Sequence, residues 1–243
     1  PFFRLAGMDG FSGTVAGSLR AEGNAANIEN ARAELDLPAL ELFFQEKQIL
    51  SAAGVAASIE NRQISLPENR ITLFQEGSLT IRGTGRLDRN MRITGKGVLP
   101  AKLAAQFYPG IDAPEGRARF SAEIIGSIGD PEIFAEINLQ DAGFAISQTA
   151  QRVHSLNGRI RLTQKALTIS GLSGRINQGE FSVKATAELD NYAPVRTNVD
   201  IRARALPVEV PDTLDLKLNA DLNFSGTPDQ GALTGDLVLL EGI

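Results

Sequence analysis

Hydrophobic and polar positions alternate with a period of two along much of this chain. From Leu214 to Ser225, the residues Leu214, Leu216, Leu218, Ala220, Leu222 and Phe224 take turns with Asp215, Lys217, Asn219, Asp221, Asn223 and Ser225. Successive side chains of a strand point to opposite faces, so this segment has one apolar face and one polar face. A helix would scatter the same residues around its axis. Ala118, Phe120, Ala122 and Ile124 alternate in the same way with Arg117, Arg119, Ser121 and Glu123, and Ile133, Ala135, Ile137 and Leu139 follow beyond the turn signal Gly129-Asp130-Pro131. Phe181, Val183, Ala185, Ala187 and Leu189 repeat the pattern, as do Val199, Ile201, Ala203 and Ala205 between Asp200, Arg202 and Arg204. Shorter runs are Leu79 with Ile81, Met91 with Ile93, Ile160 with Leu162, and Leu167 with Ile169.

Gly, Asn, Asp and Pro separate these runs at spacings of about 8–15 residues, which predicts an all-β architecture. Two helices are expected. Ala101–Tyr108 is framed by Pro100 and Pro109-Gly110, and Ala25–Glu34 is the second. A loose repeat is also present. Leu99-Pro100 and Leu206-Pro207 each close an alternating run, 107 residues apart; Leu87-Asp88 and Leu189-Asp190 stand 102 apart. Gly126–Pro131 resembles Gly226–Gly231, and Gly13–Leu19 could open an earlier copy. The expected units are 1–115, 116–213 and 214–243, stacked as an extended, solenoid-like object.

Strands with one clean apolar face must bury it. A sandwich, a transmembrane barrel and a long curled sheet all do so. A barrel needs aromatic girdles, yet the chain has 12 Phe, two Tyr and no Trp, with no girdle spacing. A sandwich fits the periodicity, but the apolar face is built of Ala, Leu and Ile with few large aromatics, and the repeat favours elongation. The expected fold is therefore an elongated, curled, U-shaped sheet of about 16 strands with at most one or two short helices. Its inner trough would hold an acyl chain, because each buried CH₂ gains about 0.8 kcal/mol. The trough candidates are Phe120, Ile124, Ile133, Ile137, Ile169, Phe181, Val183, Val199, Ile201, Leu216, Leu218, Leu222 and Phe224. The competing reading of the same residues is plain core packing.

Composition narrows the chemistry. The net charge is −5, which argues against a nucleic-acid partner, and the absence of cysteine excludes disulfides and thiolate metal sites. No apolar run reaches the ~18 residues of a membrane-spanning helix. Pro1-Phe2-Phe3-Arg4 lacks the features of a signal peptide, and both ends read as cut from a longer protein. His154 is the single imidazole, and no nucleophile elbow accompanies it; Gly171-Leu172-Ser173-Gly174 has the wrong spacing. Asp215 and Asp221 lie on a polar face, as solvated groups rather than an acid–base pair. Gly83-Thr84-Gly85 and Gly95-Lys96-Gly97 are not phosphate loops, and read as relief of crowding in a bent sheet. No enzymatic role and no cofactor are expected.

Several segments resemble the repeating sheet elements of the TamB/AsmA-like family. These are Leu214–Gly226 with Gly235–Gly242, Gly116–Gly143 with its central Gly-Asp-Pro, and Leu156–Leu162 with Leu167–Ile169 and Gly174. The resemblance implies a β-taco groove in the Gram-negative periplasm, with the full-length protein anchored in the inner membrane by a helix that this chain lacks. It implies phospholipid acyl chains as cargo and an outer-membrane barrel of the Omp85 type, TamA-like, as partner in the assembly of autotransporters and other barrels. An alternative within the same resemblance is a scaffold whose sheet edges hold nascent outer-membrane strands by β-augmentation. A plain sandwich interaction module is the other.

Overall fold

The computed structural model describes residues 11–24, 27–44, 46–105, 110–147, 149, 151–210 and 214–242. The all-β expectation holds. Among the described residues fifteen strands pair antiparallel in one sheet, nearly all with their neighbours in sequence. Consecutive antiparallel pairing needs only short turns, which the Gly/Asn/Asp punctuation supplies.

The chain groups into two units, one of residues 1–99 and 121–133, the other of residues 100–120 and 134–243. The first unit holds β1 (Phe11–Asn24), β2 (Asn27–Phe44), β3 (Lys47–Ala52), β4 (Val55–Glu60), β5 (Gln63–Leu73), β6 (Gly77–Arg86) and most of β7 (Met91–Pro100). Strands β3 and β4 form one interrupted strand: both pair with β2 on one side and β5 on the other, and Ala53-Gly54 loops out between them. The interruption recurs at the same level on the neighbours. Strand β1 slips register between Ala16 and Ser18, and β5 slips between Leu66 and Asn69. Asn69, only 4% exposed, fills the gap. Its Oδ1 accepts the Ala56 N–H at 2.7 Å, and its Nδ2 donates to the carbonyls of Ala56 and Pro67, both at 3.0 Å.

The expected helix over Ala25–Glu34 is a strand from Asn27 onward; Ala25 and Ala26 lie outside the described residues. Alanine-rich composition favours a helix locally, but Ala33, Leu35 and Leu37 are spaced for a sheet. Arg20↔Glu34, Ala21↔Ala33 and Glu22↔Arg32 pair them with β1. Long-range pairing overrides the weak local preference. The other expected helix is a single turn, α1 (Lys102–Ala105), and residues 106–109 lie outside the described set, as do Pro1–Arg4. The Gly97 position bears out the crowding reading, because a Cβ there would overlap the Ser78 carbonyl oxygen on β6.

The second unit holds α1, β10 (Arg152–Leu162), β11 (Ala166–Ile176), β12 (Gly179–Asp190), β13 (Ala193–Val210), β14 (Leu214–Gly226) and β15 (Gly231–Gly242). Strands β8 (Ile111–Ser127) and β9 (Asp130–Ile146) divide between the two units, with their shared tip, residues 121–133, in the first.

Candidate functional site

In the second unit, register places the apolar residues of successive strands side by side. One row runs Ile137, Ile160, Ile169, Ala185, Val199, Phe224 from β9 to β14. The next runs Leu172, Val183, Ile201, Leu222 from β11 to β14. A third runs Gly174, Phe181, Ala203, Ala220. Beyond it, Leu206 pairs with Leu218 and Val208 with Leu216. Directly paired residues of a sheet share a face, so these rows form one apolar surface. The sequence-derived candidates Ile137, Ile169, Phe181, Val183, Val199, Ile201, Leu216, Leu218, Leu222 and Phe224 all stand in it. Phe120, on β8, belongs to the same unit but lies outside these rows. Ile124 and Ile133 fall in the first unit.

Three one-residue insertions keep the surface continuous. A strict period of two would put Leu206 and Val208 on the polar face. Ala205, with φ 48°, is the inserted residue of a bulge, and the apolar face resumes at Leu206. Ala205 is therefore not an apolar-face residue of the alternation, as its spacing from Ala203 suggested. Gly171, with φ 61°, does the same on β11: Ile169 pairs with Ala185 and Leu172 with Val183. Ser155, with φ 53°, does so on β10 between Val153 and Leu156. Bulges bend a strand and increase its twist. A bend leaves less room on its inner side. Small residues beside the bulges are buried: Ala203 is 2% exposed, Ala220 5% and Ala142 7%, with Val153 of β10 at 4%.

The large residues behave differently. Every one of the thirteen candidates is half-buried, none fully buried and none fully exposed. Among the described residues no large side chain is fully buried. In a two-layer core the Ile, Leu and Phe side chains of the inner faces are the ones most removed from water. Here the alanines at the bend are deep and the larger side chains around them keep part of their surface. An apolar face so arranged can shield an elongated apolar guest without any group for bond chemistry.

The opposite face is polar. Arg161 Nη2 donates to Glu136 Oε2 at 2.9 Å, and Arg159 Nε donates to Asn138 Oδ1 at 2.8 Å. The Asn138 amide and the Arg161 guanidinium beside Glu136 hold its carboxyl below the usual carboxylate range. His154 lies on β10, with Nε2 2.7 Å from the Asn177 carbonyl oxygen and Nδ1 3.4 Å from its neighbour Ser155 Oγ. That bond ties the start of β10 to the β11–β12 turn. Its partner is a backbone carbonyl rather than a carboxylate that could orient it for catalysis.

Leu172, Leu206 and Val208 belong to the apolar surface but escape a reading by strict alternation. The signal that finds them is a slip of one residue in the pattern: Ala203, then Leu206 and Val208; Ile169, then Leu172.

Among the described residues, no helix is long and apolar enough to cross a membrane. No curated protein and no solved structure matches the chain. Residues 170–243, from the middle of β11 to the end of β15, match the family model of the TamB C-terminal domain. The matched segment, β11–β15, holds most of the strands whose register builds the apolar surface, and over that segment the chain is similar to the TamB C-terminal domain.

Proposed function

We propose that the apolar face of this chain binds phospholipid acyl chains, as one segment of a periplasmic bridge that carries phospholipid between the inner and outer membranes. In this reading the repeat over 1–115, 116–213 and 214–243 is the building unit. The full-length protein is anchored in the inner membrane, and it supports outer-membrane protein and autotransporter assembly with a TamA-like barrel. The observation that carries the reading is the continuous apolar surface of β9–β14, whose large side chains remain half-buried. A guest chain laid along it removes the remaining apolar area from water at roughly 25 cal/mol per Å². Rows of Ile, Leu, Val and Ala offer nearly the same contact at each level, so the guest meets no single tight stop.

The test is lipid extraction and native mass spectrometry on the purified chain, beside Leu218→Arg and Ile201→Arg. Phospholipid retained by the wild type and lost in the folded variants supports the conduit. A wild type that is folded and lipid-free, and takes up no phospholipid from vesicles, overturns it.

A further inference from the structure

We propose that the polar face of the second unit carries a binding site for a phosphate ester, built on β11, β12 and β13. Two adjacent rungs of the sheet make it. In one, Arg175, Glu180 and Arg204 are direct partners across three strands. In the next, Ser173, Ser182 and Arg202 are partners in the same order. A hollow of about 460 Å³ lies over these rungs, with Ser155 of the β10 bulge at its margin.

The charges at this hollow run against those of the chain. The protein has a net charge of −5, yet three guanidinium groups line the hollow against the single carboxylate of Glu180. Glu180 is engaged by Arg175 at 2.5 Å. Arg202 reaches Asp221 on β14 with Nε 3.6 Å from Oδ1, an exposed and long ion pair. Arg204 Nη1 donates to the carbonyls of Ala203 and Ala220 at 2.8 and 3.3 Å, so backbone positions its guanidinium. Arg202 and Arg204 are two residues apart on one face of β13, roughly 7 Å along the strand, where like charges repel unless an anion lies between them. The rung beyond, Lys184 with Asp200, is balanced, and the rung of Arg202 continues into Asp221 and Asp236 on β14 and β15, so the excess of positive charge is confined to β11–β13.

Guanidinium forks match the oxygens of a tetrahedral phosphate in bidentate fashion, and hydroxyls of Ser173 and Ser182 add donors at the same level. The oxygens of a phosphate ester are disposed tetrahedrally, out of one plane, and so reach toward donors on three strands; the two oxygens of a carboxylate lie in one plane. The Arg and Ser side chains alternate along their strands with the apolar rows, and Gly174 and Phe181 of those rows also line the hollow. The site is therefore tested at Arg202 and Arg204, which the acyl-chain reading does not use, and it fails or stands separately from that reading. The ester comes from a lipid headgroup at a bilayer surface or from a soluble phosphate.

The experiment titrates the whole 243-residue chain with inorganic phosphate by calorimetry, and separately measures its co-sedimentation with two kinds of vesicle. One is phosphatidylcholine alone, the other phosphatidylcholine mixed with phosphatidylglycerol. Arg204→Gln and Arg202→Gln are compared with Arg196→Gln, an exposed arginine of β13 away from the hollow. Each of the first two weakens phosphate binding on the order of tenfold. Arg196→Gln leaves it unchanged, and all three keep the wild-type circular dichroism. Arg202 is exposed, so its variant remains informative if Arg204→Gln fails to fold. Co-sedimentation with the mixed vesicles, abolished by Arg202→Gln and competed by phosphate, identifies a headgroup. Phosphate binding without co-sedimentation identifies a soluble ester. Absence of phosphate binding, or an equal loss in Arg196→Gln, overturns the site.

Discussion

The side-chain oxygen of Asn219 on β14 accepts the backbone N–H of Ala205 on β13 at 2.8 Å. Ala205 is the inserted residue of the bulge, and its amide cannot join the ladder that pairs Ala203 with Ala220 and Leu206 with Leu218. Asn219 provides the missing acceptor. Asn157 has the same part on β9 and β10: its Oδ1 accepts the N–H of Asp141, φ 46°, and its Nδ2 donates to the carbonyl of Ser155. An unsatisfied, partly buried amide costs about 1–3 kcal/mol, so Asn219→Ala destabilises the chain by that amount. Ala205→Gly gains about 1 kcal/mol, because glycine adopts the left-handed conformation without the Cβ clash. Urea midpoints of the two variants check both signs. A neutral Asn219→Ala means that the amide finds water or another acceptor.

In the apolar rows Ala203 and Ala220 are buried while Phe181, Ile201 and Leu222 beside them are half-buried, and substitution reads out the difference. Ala203, 2% exposed, sits between Phe181 and Ala220 in its row. Ala203→Leu adds methyl groups where the bend leaves no room, and costs about 1–3 kcal/mol. Leu222→Ala, at a half-buried position, costs less than the roughly 2–5 kcal/mol of a fully buried leucine. Equilibrium unfolding of the pair decides between an open face and a covered one. A full-sized loss in Leu222→Ala would show that another layer closes over it.

Gln151 precedes β10, and its Nε2 donates to the carbonyl oxygen of Pro207 on β13 at 2.7 Å. The bond spans the end of the short β11–β12 hairpin, where Ile176 pairs with Gly179, and a Cβ on Gly179 would already touch the Pro207 ring. Gln151→Ala removes a donor from a partly buried carbonyl and destabilises by about 1–3 kcal/mol. Hydrogen exchange at Val153 and Gly179 is expected to accelerate more than exchange in the middle of β12. Uniform acceleration would indicate global loss instead of an opened end.

Asp88 stands in the turn between β6 and β7. It receives Arg86 Nε and Nη2, both at 3.1 Å, and Arg62 Nη1 at 3.0 Å. The Arg86 contacts first, then Arg62, hold its carboxyl far below the usual carboxylate range. A lowered folded-state pKa adds stability that is present above the unfolded value of about 4 and fades as pH falls toward the folded value. Asp88→Asn is therefore less stable than wild type at pH 7, and the difference shrinks as the solution is acidified below pH ~4. Salt reduces the difference at pH 7, because the group is accessible to water. Urea titrations at several pH values test the sign; a gap that widens in acid would contradict it.

Period two in the local sequence is enough to identify β6 to β14 as strands and to assign most of their apolar residues to one face. Leu216, Leu218, Leu222 and Phe224 need no tertiary information, because a strand of any sheet sends them the same way. The N-terminal strands were harder to read. Strand β3–β4 is interrupted at Ala53-Gly54, and Pro67 and Glu68 fall in the slip of β5, so neither run is long enough to display its period. Ala25–Glu34 misled for a different reason: alanine's helical preference is worth less than the pairing partners on β1 and β4.

The sequence alone determined that this chain is built from amphipathic strands and that its apolar face is made chiefly of Ala, Leu, Ile and Val with few large aromatics. Those properties follow from which residues alternate and which are absent. Only the tertiary structure decided the phase of the alternation. Whether Ala205 or Leu206 faces the apolar side depends on a bulge, and the bulge depends on Asn219, fourteen residues away on another strand. The tertiary structure also decided depth. Alternation cannot distinguish a half-buried Leu222 from a fully buried one, because burial is set by the bend of the sheet and by what does or does not lie against it.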